Sequence, residues 1–125
     1  MPYIKRKSDK SNKDNTQYKK RQKVYQNPIW KKMRLAKLME NPLCFACECE
    51  GKITLAQDLH HLRSFSNQHN ENETNALAFD SNNIVPLCKF HHWAIHHGEL
   101  KGATTLDEIK SLLNNKNKQS NENEL

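Results

Sequence analysis

The chain is poor in apolar residues. Only 35% of its 125 residues are hydrophobic and the mean hydropathy is −0.99. The whole length therefore cannot pack into one core, and part of it is expected as solvated tail. No apolar run approaches the ~20 residues that a membrane-spanning helix requires, so no membrane partner is expected. Residues 1–13 are basic but have no apolar stretch behind them, which does not fit a signal peptide. There is no internal repeat at solenoid spacing. A chain of this length is expected to hold one domain, which excludes a large multidomain enzyme.

What is present in excess is positive charge, and it is unevenly placed. The formal net charge is +6. Residues 1–37 carry thirteen Lys and Arg against two acids, Asp9 and Asp14, a net of +11; residues 38–125 carry seven basic residues against twelve acidic ones, a net of −5. Residues 1–23 are dominated by Lys, Asn, Ser, Asp and Gln, with little to bury, and are expected to be disordered when free. Such an arm could be a solubilising tail, but its dense, one-signed charge favours a phosphate-binding arm. Residues 114–125 read as a second polar tail. The foldable window is then about 24–113, a size at which a core is marginal without disulfides or a metal.

Local signals divide that window. Asn27-Pro28 opens a helix, with Asn as N-cap and Pro in the first helical position. Ile29, Trp30, Met33, Leu35, Ala36, Leu38 and Met39 give it helical periodicity, Asn41-Pro42 ends it, and Lys31, Lys32, Arg34 and Lys37 give it a basic outer face. Residues 59–65 read as a strand, 67–75 as a polar loop, and 82–87 as a loop or extended run in which Pro86 opposes helix. A short helix is expected over Lys89–His97, with Gly98 at its C′ position. Thr105 and Glu108 form a capping box for a last helix ending near Leu113.

The four cysteines do not read as disulfides, because Cys44, Cys47 and Cys49 are too crowded for an ordinary framework. Cys44-Phe-Ala-Cys47 and Cys88-Lys-Phe-His91 instead form two knuckles that together offer four ligands suited to a tetrahedral structural Zn²⁺. Cys49 could replace Cys47, but the regular Cys44–Cys47 spacing favours Cys47. Six of the seven histidines form three doublets, His60-His61, His91-His92 and His96-His97. His92 and His96 lie four apart and share a helix face. His91 points about 100° away from His92, so it can serve the zinc while His92 faces elsewhere. On a strand, His60 and His61 point to opposite sides, so that one can bind a metal while the other holds a water or a substrate atom. His97 reads as packing or surface, and His69 as solvated.

Taken together, Asp58-Leu-His60-His61-Leu, Asp80-Ser-Asn82-Asn83-Ile-Val-Pro-Leu-Cys88 and Lys-Phe-His91-His92, with His96 on the same helix, resemble the HNH endonuclease family, the ββα-metal nucleases. The naming residues match His61, Asn83 and His92. The Trp30–Arg34 helix and the Asn41-Pro-Leu-Cys44 turn look like the small zinc-containing phage members. The second knuckle departs from the family, since His91 stands where a second Cys is usual; Cys₃His is still a good zinc site.

The resemblance implies an α+β fold: a small zinc-stabilised ββα-metal (His-Me finger) domain with flanking helices and disordered termini. It implies catalytic roles for His61 as general base, for Asn83 as the residue that orients it, and for His92. It further implies one catalytic divalent metal (Mg²⁺, Mn²⁺, Ni²⁺ or Zn²⁺) on His60, His92 and His96, beside structural Zn²⁺ on Cys44, Cys47, Cys88 and His91. Asp58 reads as surface or supporting, and Arg63 either contacts phosphate or is solvated. The implied activity is metal-dependent DNA cleavage of low specificity, or nicking. DNA would be gripped by Lys19, Lys20, Arg21, Lys23, Lys31, Lys32 and Arg34, and with no recognition helix there is little base readout. The implied setting is a bacteriophage protein, monomeric in the host cytoplasm, with terminase as a partner in packaging. The alternative is a zinc-stabilised nucleic-acid-binding module without cleavage, which would have no need of His60, His61, Asn83 and His92 together. A zinc hydrolase on a small neutral substrate would have no use for the basic arm.

Overall fold

A computed structural model describes the backbone over residues 15–124 and side chains over residues 16–115. The elements are α1 (Asn15–Tyr25), α2 (Pro28–Glu40), α3 (Phe45–Cys49), β1 (Asp58–His61), α4 (Glu71–Ala78), a 3₁₀ turn (Ser81–Asn83), β2 (Ile84–Leu87), α5 (Lys89–His97) and α6 (Leu106–Glu124). This is a small α+β arrangement of helices around a two-stranded antiparallel sheet. No helix among the described residues is long and apolar enough to cross a membrane.

The sheet pairs Asp58 with Leu87, Leu59 with Pro86, His60 with Val85 and His61 with Ile84. Among the described residues the sheet has two strands, each with a free edge, so the amide proton missing from Pro86 leaves no ladder partner unsatisfied. Helix α5 follows β2 at once and packs on both strands. The main core gathers Leu62, Val85, Leu87, Ala94, Ile95, Leu100, Ala103, Ile109 and Leu113 around Cys44, Cys47 and Cys88. A smaller cluster joins Val24 to Phe65 and Ala78.

Helix α2 starts as its caps require: Ile29 N–H donates to Asn27 Oδ1 at 2.8 Å. Its apolar periodicity is less buried than expected. Trp30 is buried, while Ile29, Leu35 and Met39 are exposed. Helix α5 matches its expected bounds, but Gly98 has φ −116°, so no left-handed C′ residue ends it. The glycine is needed for space: a Cβ there would meet Trp93 Cζ3 at 2.9 Å and the Ala94 Cα at 3.0 Å. Thr105 accepts the Glu108 amide at 3.1 Å, as a helix cap does.

Four local expectations are corrected. Residues 15–23 are helical, where a disordered arm was expected. Buried Val24 anchors α1 on Phe65 and Ala78, a burial worth ~1.5–3 kcal/mol, while Lys20 Nζ donates to the Gln68 carbonyl. The exposed Lys23–Glu71 pair at 3.3 Å adds little by comparison. Residues 1–14 of that arm lie outside the described residues. Second, α6 continues through 114–124 instead of ending near Leu113. Third, the polar stretch 67–75 contains the first turns of α4, capped by Asn70, whose Oδ1 accepts the Glu73 amide at 2.8 Å. Fourth, the strand over 59–65 stops at His61, because beyond it Asn83 takes over the pairing of the Arg63 backbone.

Candidate metal centres and the cleft at the histidine cluster

The two knuckles converge. Helix α3 begins at Cys44, whose Sγ accepts the Cys47 amide at 3.4 Å. The chain leaves α3 through Gly51 at φ +77°, a backbone conformation that favours glycine. Lys52 N–H then returns to the Cys47 carbonyl at 2.8 Å. The second knuckle opens α5, one helical turn apart at Cys88 and His91. Cys47 Sγ lies 3.9 Å from Cys88 Sγ, and His91 Nδ1 lies 3.6, 3.4 and 3.4 Å from the sulfurs of Cys44, Cys47 and Cys88. With Zn–S near 2.3 Å and Zn–N near 2.0–2.1 Å, a tetrahedral site has edges of about 3.8 and 3.6 Å. The four side chains are buried and fit that shape, so this Cys₃His group could hold a structural ion such as zinc.

The surroundings suit an ion as well. Burial pushes the Cys44 thiol up to about 12, against the opposing hydrogen bonds from backbone amides; a divalent cation reverses that preference and favours thiolate. Glu50 Oε1 sits 3.0 Å from His91 Nε2, close but out of line for a hydrogen bond. The carboxylate thus faces the ring edge opposite the one whose Nδ1 meets the sulfurs. Cys49 is half-buried against the core and stands outside the cluster, so Cys47 is the ligand that the geometry selects.

A second cluster lies on the other face of α5. Ring nitrogens of His60, His92 and His96 all come within 4.8 Å of one another, with ring centroids 5.0–5.5 Å apart. His60 and His92 are half-buried and His96 is exposed. Burial, then the neighbouring imidazoles His96, His92 and His61, lowers His60 to about 3. Burial and then His92 and His97 lower His96. His60 and His96 are therefore held neutral, the state in which imidazole binds metal. His92 Nδ1–H donates to Asp58 Oδ2 at 3.0 Å, which leaves Nε2 for an ion. Burial of Asp58 would raise its carboxyl, but the His92 hydrogen bond and the Lys89 charge outweigh that and hold it below the usual range.

His61 turns the other way along β1, as strand alternation requires. Its ring stacks on Trp30 (centroids 4.9 Å, 27° between planes), meets Phe65 edge-on at 4.7 Å and lies 6.3 Å from Tyr25. Nε2 is 3.0 Å from the Ala78 carbonyl. A carbonyl can only accept, so Nε2 carries the proton and Nδ1 keeps its lone pair. Burial lowers His61 despite that hydrogen bond. His61 and the trio nevertheless line one open cleft of about 420 Å³, together with Arg21 of α1 and Tyr25.

Asn83 is buried and its amide is fully used. Oδ1 accepts the Arg63 amide at 2.8 Å, and Nδ2 donates to the carbonyls of Arg63 and Leu77, each at 3.0 Å. Leu77 precedes Ala78, whose carbonyl holds His61, so Asn83 fixes the segment that fixes the imidazole. Arg63 itself is exposed.

The expected basic set is divided. Arg21 lines the cleft; Lys19, Lys31, Lys32 and Arg34 are exposed; Lys20 and Lys23 are engaged in docking α1. His69 and His97 are exposed. Of the two readings left open for Asp58, surface or supporting, the hydrogen bond to His92 selects the supporting one. Sequence reasoning missed Glu50 and the Ala78 carbonyl, for which no local pattern exists.

No family model matches the chain, and neither a curated protein nor a solved structure is found to be similar to it.

Proposed function

We propose that the protein is a metal-dependent endonuclease of the HNH type that hydrolyses DNA phosphodiester bonds, with a structural zinc in the Cys₃His group. The observation that carries this reading is the shared cleft, where three imidazoles close enough to share an ion adjoin a fourth whose tautomer is fixed. An ion on His60, Nε2 of His92 and His96 would neutralise phosphate charge and stabilise the leaving oxygen.

The chain's own groups do the rest. Nδ1 of His61 takes a proton from water as the water oxygen bonds to phosphorus and the bond to the 3′ oxygen breaks; the leaving oxygen takes its proton from solvent. Burial keeps His61 unprotonated near neutrality, as a general base requires. Stacking on Trp30 and the Ala78 carbonyl hold the ring still, and Asn83 holds the carbonyl's segment. Arg21 at the cleft and exposed Lys19, Lys31, Lys32 and Arg34 supply phosphate contacts, which position DNA without reading its sequence. The reading therefore expects cleavage of low specificity, or nicking by the monomer. The HNH resemblance sets this activity in the cytoplasm of a phage-infected bacterium, beside a terminase.

The test is supercoiled plasmid with Mg²⁺, Mn²⁺, Ni²⁺ or no added ion, for the parent protein and His61→Ala. Cleavage should require the ion and fall about 10²–10⁴-fold in His61→Ala, with zinc content and melting retained. Binding without cleavage under every metal would replace this reading with the binding module.

A further inference from the structure

Helix α5 carries more than ligands. On its outer surface Phe90 and Trp93 are 58% and 56% exposed, although large aromatic side chains are usually buried. Their ring centroids are 6.4 Å apart, and Trp93 is 6.1 Å from the ring of His97. His97 in turn lies 6.2 Å from His96, and His96 is 5.0 Å from His60. Rings therefore run without a break from the histidine trio out along the helix. Trp93 is also held in place, since its indole lies over Gly98 so closely that a Cβ would collide with it.

We infer that Phe90 and Trp93 form a stacking platform for unpaired DNA bases beside the scissile phosphate, so that the preferred substrate is single-stranded or locally unpaired DNA. This rests on the nuclease reading above. Stacking on exposed aromatic rings is how proteins hold single strands without regard to sequence. The strip's surroundings favour nucleic acid over a protein partner. Lys89, one residue before Phe90, is exposed and makes only a surface pair with Asp58 at 3.5 Å, a weak tie that a phosphate can replace. The exposed aliphatic side chains lie on other segments, Ile29, Leu35 and Met39 on α2, Ile53 and Leu55 before β1, Leu106 and Leu112 on α6. Trp93 reaches the trio through His97, at 6.1 and then 6.2 Å, so a base stacked on it lies a short stretch of strand away from the phosphate that the trio's ion would hold.

The experiment titrates the zinc-loaded full chain with labelled single-stranded oligothymidylate and with a blunt duplex, without added divalent ion so that nothing is cut. Trp93→Ala should weaken single-strand binding about 5- to 100-fold and leave duplex binding unchanged. Phe90→Ala should act in the same direction, and Trp93→Phe should retain most of the affinity. Unchanged single-strand affinity in both alanine variants, or equal losses on strand and duplex, overturns the platform. So does a shift in oligomeric state on Trp93→Ala with no change in strand affinity, which assigns the strip to protein contact. Plasmid cleavage is scored separately: its absence removes the nuclease reading, whereas these titrations report on stacking alone.

Discussion

His91 and His92 are neighbours in sequence yet belong to clusters of opposite character. His91 turns inward to three sulfurs, in a group whose members are all buried and which sits inside the main core. His92 turns outward to two imidazoles, one of them exposed, at the mouth of a cleft. The first cluster offers four donor side chains, all buried; the second offers three, one of them exposed. Closed four-ligand sites are what structural ions occupy, whereas open sites leave positions for outside ligands. One short helix thus serves folding with one face and the cleft with the next, because adjacent helical residues diverge by about 100°.

The largest expected effect sets the two clusters apart by substitution. A structural zinc contributes roughly 10–16 kcal/mol of apparent binding free energy, as much as the whole stability of a typical domain, ~5–15 kcal/mol. Cys88→Ser should therefore leave the protein unfolded or molten by circular dichroism and free of zinc. His92→Ala should keep a native spectrum and its zinc. If both variants unfold, the clusters are one structural unit and the distinction fails.

A smaller effect should fall on the open cluster alone. Asp58 holds the Nδ1 proton of His92, and removing such an outer partner typically weakens metal binding 10–100-fold. Asp58→Ala should show that loss in a calorimetric Ni²⁺ titration, with the zinc content and melting temperature of the parent. A parallel loss of zinc or of melting temperature would make Asp58 a general prop for the sheet.

Much of this contrast was legible in the sequence, because ligand spacing and caps are local. Asn27-Pro28 marked the start of α2, the doublets marked both clusters, and Cys47 was preferred over Cys49 on spacing alone. What was illegible depends on contacts remote in sequence. Helix α1 has almost no apolar periodicity, and its anchor Val24 meets partners some forty and fifty residues away. Helix α4 buries only Thr74 and Ala78, so its polar composition concealed it although Asn70 and Glu73 carried a capping signal. The exposure of Leu35 and Met39 could not be read from periodicity, which marks a face as apolar without saying whether anything covers it.

The smallest effect concerns pH and again separates the clusters. His60 is held near 3 in the fold, against an ordinary value near 6.5 when unfolded. Above about pH 6.5 both states are neutral and this histidine contributes no pH dependence. As pH falls below that, the unfolded chain takes up a proton that the folded chain refuses, so stability is lost progressively down to the folded value. Between about pH 7.5 and pH 6 the loss from His60 is on the order of 1 kcal/mol. Urea midpoints of the zinc-loaded protein, without a second ion, should fall over that interval, and the fall should be shallower in His60→Asn. Equal slopes would show that His60 does not carry the acid sensitivity, which would then rest on His61 and His96, also lowered by burial, or on the cysteine cluster, where protons compete with zinc for thiolate.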